Sequence, residues 1–131
     1  MTSKLTLTVC VLIFGAIVPM LEINATHVFN PLWPEHARLH EVWQLVSNSA
    51  LAALCLYLAW GRNDVRLASV IALCVSAGFL GSFFLADTYG GSMRHTDGSE
   101  IAIGGVNVAV VVMAVVTAAL VGIALRKRRS A

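Results

Sequence analysis

Charged residues are absent from four long stretches of this chain, and the polar residues gather between them. Each stretch is close to the ~20 residues that a helix needs to cross the apolar core of a bilayer. Within lipid, a helix satisfies every backbone hydrogen-bonding group without water. The pattern therefore predicts an all-α integral membrane protein, a four-helix bundle folded as a single domain over residues 1–131. The stretches without Asp, Glu, Lys or Arg are 5–21, 42–60, 67–86 and 101–125.

Composition agrees with this interpretation. The 131 residues are 58% hydrophobic and 12% charged, whereas soluble domains carry about 25% charged residues. Extending each stretch to the nearest turn signals gives the expected helices. They run over approximately 5–21, 35–60, 65–88 and 100–125.

The basic residues are distributed unequally between the two sides of this topology. By the positive-inside rule, the side richer in Lys and Arg faces the cytoplasm. The other side carries only Arg38 and Arg94. We therefore expect both termini in the cytoplasm and the loops at 22–41 and 87–100 outside, facing the periplasm of a bacterial inner membrane. The residues on the basic side are Lys4, Arg62, Arg66, Arg126, Lys127, Arg128 and Arg129.

Small residues recur at four-residue spacing in the third and fourth predicted helices. Ala68, Ala72 and Ser76 form one such line, and Gly105 with Ala109 begins another. Small residues at this spacing let helices approach closely in membranes. These faces pack the bundle internally, or they join a homo-oligomer or a larger membrane complex.

Several function classes are disfavoured. The basic tail is a topogenic signal near the lipid headgroups and does not indicate nucleic-acid binding. The three cysteines lie within apolar stretches and have no C-x-x-C partner, which argues against a thiol–disulfide enzyme. A channel is disfavoured because the first and third helices lack a continuous polar stripe. The expected partners are the lipid bilayer and an apolar small molecule.

Chemically active side chains gather on the predicted outer side. All four histidines lie there, three of them within residues 24–40. His36, His40 and Gln44 follow at i, i+4 and i+8 in the second helix, so they share one face. Ionisable groups in a membrane protein are the default hypothesis for its functional site.

The first hypothesis is acid–base chemistry on a lipid, sterol or isoprenoid-like substrate that enters from the bilayer. A partly desolvated carboxylate or imidazole has a pKa near neutrality, as this chemistry requires. The catalytic candidates are Glu22, His27, His36, His40 and Asp87. The candidates for substrate binding are Asn30, Trp33, Trp43, Gln44, Asn48 and Asn107, the last expected two turns into the fourth helix below Glu100.

The alternative is a metal- or haem-binding accessory subunit of a membrane redox or transport complex. His36 and His40 form an H-x-x-x-H pattern, which places two imidazoles on one helix face, as zinc, copper and iron sites do. His27, Glu22 or His95 would complete the shell around a divalent transition metal. The H-E-x-x-H pattern of zinc proteases is absent, because Ala37 follows His36.

A third interpretation is purely structural. Trp33 and Trp43 then belong to the aromatic belt of the interface. The solvated helix start at the headgroup level consists of Glu35, His36, Arg38, His40 and Glu41. The outer loops would in that case dock a partner protein.

The segment from Asn24 to His40 carries the string T-H-x-F-N-P-x-W-P-x-H-A-x-x-H. It resembles the signature of a family of small four-span membrane proteins of unknown function. The resemblance implies that the residues of this segment, from Thr26 to His40, form one structural unit, and it implies no activity. The architecture is also similar, more loosely, to the emopamil-binding (sterol isomerase-like) membrane fold, which places carboxylates and a histidine in a cavity open to lipid.

Overall fold

The computed structural model describes residues 1–126, and this part of the chain is mostly helical. Three of its helices are long and apolar enough to cross a membrane, and a shorter apolar helix of 17 residues follows them. Three basic residues that contributed to the predicted orientation, Lys127, Arg128 and Arg129, lie outside the described residues. The helices are α1 (Thr2–Glu22), α2 (Glu35–Gly61), α3 (Val65–Phe84) and α4 (Val108–Ala124).

The fourth apolar stretch begins with a hairpin, so the helix predicted over 100–125 was wrong before Val108. Strand β1 (Ala102–Ile103) pairs antiparallel with β2 (Val106–Asn107). Gly104 and Gly105 form the turn with φ of +60° and +81°, values that glycine adopts readily and that suit a tight hairpin. A uniformly apolar stretch does not show where its helix begins. The third helix also ends earlier than 88, at Phe84, before a separate short helix (Ala86–Tyr89).

Helix α1 contains a π-helical turn, Ile13–Ile17, just before Pro19. Proline has no N–H to donate to the carbonyl oxygen four residues earlier, here that of Gly15. The hydroxyl group of Ser49 in α2 donates to this oxygen instead, at 2.8 Å. A Cβ atom on Gly15 would overlap the Cβ atom of Ala52. Helices α1 and α2 therefore approach closely at this point.

The core is shared by all four helices, and α3 packs most extensively on α4. Ala68, Ala72 and Ser76 on α3 are fully buried, so this line of small residues packs the helices of one chain together. Gly78 and Gly81 differ, because a Cβ atom on either would meet nothing within 4 Å. The other helices contribute Leu7, Cys10, Val11 and Phe14, then Ala52, Cys55 and Ala59, and finally Met113, Val116, Leu120 and Ile123.

Side-chain contacts bring the N-terminus, the α2–α3 turn and the end of α4 together at one end of the helices, called the basic end below. The Lys4 ammonium group lies 5.1 Å from the ring centroid of Trp60. The indole N–H of Trp60 donates to the hydroxyl oxygen of Thr8 at 3.0 Å. Arg126 donates to the hydroxyl oxygen of Ser3 at 3.0 Å.

The two long connections meet at the opposite end, called the histidine end below. The first connection, residues 23–34, joins α1 to α2, and the second, residues 85–107, joins α3 to α4. The side-chain amide of Asn30 donates to the hydroxyl oxygen of Thr96 at 3.0 Å. This hydrogen bond ties the two connections directly to each other.

Candidate functional site

The predicted catalytic residues are distributed over three places at the histidine end. The first is a half-buried cluster around Glu22 and His27. The second is the surface pair, His36 and His40, on the exposed face of α2. The third is a groove between the ends of α3 and α4. The half-buried cluster consists of Glu22, His27, Glu41 and His95, and the polar wall of the groove includes Asp87, Arg94, Glu100 and Asn107.

The loop after α1 folds back over the end of that helix because Asn24 forms a turn. Its side-chain oxygen accepts hydrogen bonds from the backbone N–H groups of Thr26 and His27, at 2.7 and 3.2 Å. Its amide nitrogen donates to the carbonyl oxygen of Leu21. Asn side chains commonly form such turns with the backbone that follows them. The turn brings His27 back to Glu22, the last residue of α1.

These hydrogen bonds also assign the tautomer of His27. The Thr26 hydroxyl group lies 2.7 Å from the Asn24 side-chain oxygen, which can only accept, so the hydroxyl group donates there. The Thr26 oxygen then accepts from Nδ1 of His27, at 2.9 Å. In neutral His27, Nε2 therefore carries a lone pair, and it lies 2.8 Å from Oε2 of Glu22. The basic nitrogen of His27 and the carboxyl group of Glu22 are therefore direct neighbours.

Glu22 and His27 are largely shielded from solvent, with side chains 25% and 21% exposed. The 2.8 Å contact is close, but its geometry is not that of an aligned hydrogen bond. Among the described residues, no other group donates a hydrogen bond to the buried Oε2 of Glu22. Burial lowers the pKa of His27 below its ordinary value, and neighbouring His95 lowers it further, which together outweigh the opposing effect of Glu41. This lowering of the pKa favours the neutral form of His27, which can act as a base.

Two aromatic rings enclose His27. The rings of His95 and Trp33 meet it edge-on, with centroid distances of 4.8 and 5.7 Å. His95 comes from the second connection, so this wall forms only when the two connections pack together. These two contacts hold the His27 ring beside Glu22.

Asn30 fixes the packing of the two connections against each other. Its side chain is 2% exposed, and its amide nitrogen donates to the carbonyl oxygen of Thr26 and to the hydroxyl oxygen of Thr96. Its side-chain oxygen accepts from the backbone N–H of Leu32, at 3.0 Å. Both amide hydrogens are thus used within the protein. A role for Asn30 or Trp33 in substrate binding stays a prediction.

The surface pair has a different environment. The Nε2 atoms of His36 and His40 lie 3.0 Å apart, and the two rings meet edge-on at a centroid distance of 4.4 Å. Both side chains are exposed. The ring of Trp43, itself 65% exposed, lies 5.7 Å from that of His40. Gln44 is exposed, and Asn48 is half-buried.

The predicted three-histidine metal shell is not formed. Among residues 1–126, no three His, Cys, Asp or Glu side chains are grouped so that they could hold a metal ion. His27 contacts Glu22 and His95, while His36 and His40 contact each other. Any metal site at His36 therefore has two protein ligands in the described chain.

Asp87 and Asn107 belong to the groove, which has a volume of about 610 Å³ and an apolar wall that includes Phe79, Phe83 and Phe84. Asn107 does not lie within α4 as predicted, because it caps the helix: its side-chain oxygen accepts from the N–H of Ala109. Its amide still reaches Glu100, at 3.1 Å. The hairpin, and not a helical turn, makes that contact.

Sequence reasoning placed Glu41 in a solvated helix start and gave His95 a role only as a further metal ligand. A signal for Glu41 was present in α2, because Glu41 precedes the buried Leu45, Ala52 and Cys55 at helical spacing. Extending that buried face by one turn points Glu41 inward. No local signal marks His95, since its contact depends on the fold of two separate connections.

Comparison of the chain with protein-family models, curated proteins and solved structures found no match.

Proposed function

We propose that this chain is an integral membrane protein of four spanning helices, with both termini in the cytoplasm and the histidine end outside. The positive-inside rule supports this orientation, because the basic end carries Lys4, Arg62, Arg66 and Arg126. At 17 residues, α4 is about 26 Å long. That is slightly less than a ~30 Å apolar core, a mismatch that local thinning of the bilayer accommodates.

Exposed apolar side chains along the helices support a lipid environment. Val9, Val46 and Val115 are each at least 60% exposed. Soluble monomers rarely expose large contiguous apolar surfaces. Lipid tails cover such a surface at no cost in apolar hydration.

The half-buried cluster is, in this proposal, an acid–base site for an apolar substrate of the lipid, sterol or isoprenoid type. One observation carries the proposal: Nε2 of His27, which holds the lone pair of the neutral ring, lies 2.8 Å from a partly desolvated carboxyl group. Such a pair can take one proton and return another, as general acid–base catalysis requires. His95 and Glu41 then position His27 and set its charge.

The balanced reaction is a proton shift. Nε2 of His27 accepts a proton from a substrate carbon, and the protonated carboxyl group of Glu22 gives its proton to another carbon. The proton on His27 then passes to Glu22 over their 2.8 Å contact, which restores the pair. A carbon–carbon double bond moves, and no oxidant or reductant is consumed. The surrounding loop supports entry from the bilayer, because Ile23, Phe29 and Leu32 are 55–75% exposed.

Deuterium exchange tests this proposal on a mixture of lipids, so the substrate need not be identified first. Protein in mild detergent is incubated in D₂O with a lipid extract of the host membrane, and the lipids are analysed by mass spectrometry. We expect at least one lipid class to gain carbon-bound deuterium with the wild-type protein. Glu22→Gln and His27→Gln should each slow that gain by about 10²- to 10⁴-fold, the usual contribution of a general acid or base.

His36→Gln is the matched control, since it changes a histidine at the same end of the molecule outside the half-buried cluster. It should exchange deuterium at the wild-type rate. Exchange that is absent in the wild type, or equal in wild type and both cluster variants, contradicts the acid–base proposal.

A further inference from the structure

The surface pair is not used by the proposed acid–base chemistry. No hydrogen bond or ion pair in residues 1–126 joins His36 or His40 to Glu22 or His27. The two rings are exposed and directed at each other on a single helix. Their nitrogen atoms are therefore accessible to a ligand from solution.

The separation of these nitrogen atoms matches that of two ligands on one metal ion. Imidazole binds zinc at about 2.0–2.1 Å, and ligand angles of about 90–109° then place the two nitrogens about 2.9–3.4 Å apart. The Nε2 atoms of His36 and His40 lie 3.0 Å apart. An ion can thus bind between the two nitrogens once the rings turn from their mutual hydrogen bond so that both lone pairs face it.

We propose that His36 and His40 bind one divalent first-row transition ion through their Nε2 atoms, with water completing its coordination. Imidazole ligands favour copper, zinc or nickel over magnesium or calcium, and the affinity order places Cu²⁺ above Zn²⁺. The site is open, because no third side chain in residues 1–126 completes the shell. An open two-ligand site at the membrane surface exchanges its ion readily with solution.

Trp43 provides a direct reporter of binding. Its ring lies 5.7 Å from that of His40, so Cu²⁺ bound at the pair quenches its fluorescence. Protein purified in mild detergent without a polyhistidine tag is titrated with Cu²⁺, and then with Zn²⁺ in competition. We expect one ion per chain, fluorescence quenching, and an electron paramagnetic resonance spectrum with hyperfine structure from two nitrogen ligands.

Loss of a ligand should weaken binding at least as much as loss of an outer-shell partner, which costs about 10-fold or more. His36→Ala and His40→Ala should each show that loss. The matched control is the double variant His36→Ala with Arg38→His, which restores the number of histidines at a two-residue spacing that places them on different faces. It should bind as weakly as His36→Ala alone.

Two further variants complete the test. Trp43→Phe should lose most of the quenching and keep the two-nitrogen spectrum, and His27→Gln should bind Cu²⁺ like the wild type. The proposal is overturned if the wild type binds no stoichiometric ion, or if the spacing variant binds as tightly as the wild type. Loss of binding in His27→Gln also overturns it, because the ion would then belong to the half-buried cluster.

Discussion

The half-buried cluster and the surface pair contain the same kind of side chain at similar contact distances, and they are built in different ways. Nε2 of His27 lies 2.8 Å from Glu22, and Nε2 of His36 lies 3.0 Å from His40. The surface pair is formed by neighbouring turns of one helix. The half-buried cluster needs the end of α1, both connections and α2. Local structure is enough for the first, whereas the second requires the whole fold.

The different surroundings of the half-buried cluster and the surface pair favour different chemistry at each. The His27 ring lies beside a carboxyl group and against the rings of Trp33 and His95, so its position favours proton transfer over metal binding. His36 and His40 are exposed to solvent and contact each other through their Nε2 atoms. Environment, and not residue type, thus divides the four histidines between two proposed functions.

The largest expected effect comes from removing the tie between the two connections. Asn30→Ala leaves three backbone or hydroxyl groups without their partner, and each such loss costs about 1–3 kcal/mol when the group is buried. Partial exposure of these groups reduces the sum, so we expect a loss of about 2–4 kcal/mol. The measurement is the free energy of unfolding in mixed detergent micelles.

His36→Ala is the control for Asn30→Ala, because exposed substitutions usually change stability by less than about 0.5 kcal/mol. Equal stability of the two variants would mean that the half-buried cluster does not depend on Asn30, and the contrast with the surface pair would fail.

The next effect concerns the close approach of α1 and α2. Gly15→Ala places a methyl group into Ala52, and such overpacking costs about 1–3 kcal/mol. The shift of α1 should move Glu22 away from Glu41 and His95 without changing the surface pair, which lies wholly on α2. Deuterium exchange should therefore fall while Cu²⁺ binding persists.

Two variants control for the effect of a methyl group in a helix. Gly78→Ala faces open space and should be neutral or slightly stabilising. Ala52→Gly in the Gly15→Ala background should restore stability in part, since it removes the atom that Gly15→Ala meets. Stability unchanged by Gly15→Ala would show that the two helices separate freely.

The smallest effect is the pH dependence set by His27. Its pKa is below the ordinary value of 6.5 because burial and His95 disfavour the charged ring, partly offset by Glu41. The folded protein then binds fewer protons than the unfolded chain, so His27 contributes stability that is full above pH 6.5 and lost as pH falls through the folded pKa. Unfolding at pH 7.5 and 5.5 measures this loss.

In His27→Gln, the difference in stability between the two pH values should be smaller than in the wild type. Glu22, Glu41 and His95 also face this ring, and all three are present in both proteins. A stability difference equal to that of the wild type would show that His27 is not the desolvated base that the cluster geometry describes.

Much of the helical structure followed from the sequence, because uncharged stretches of suitable length leave few other ways to satisfy the backbone in lipid. The pairing of His36 with His40 was predictable for a similar reason, since residues four apart share a helix face. The start of α4 was not predictable from apolarity, because Gly104 and Gly105 turn the chain within an otherwise uniform stretch.

The sequence by itself determined where the apolar helices lie and that the histidines gather at one end. Only the tertiary structure decided which of those histidines meets a carboxyl group. It brings Glu41 and His95 close to His27. It places Asp87 and Asn107 in a separate groove. The reason is the range of the interactions. Helix periodicity acts over four residues, whereas the half-buried cluster depends on turns, a buried amide and helix packing that join distant parts of the chain.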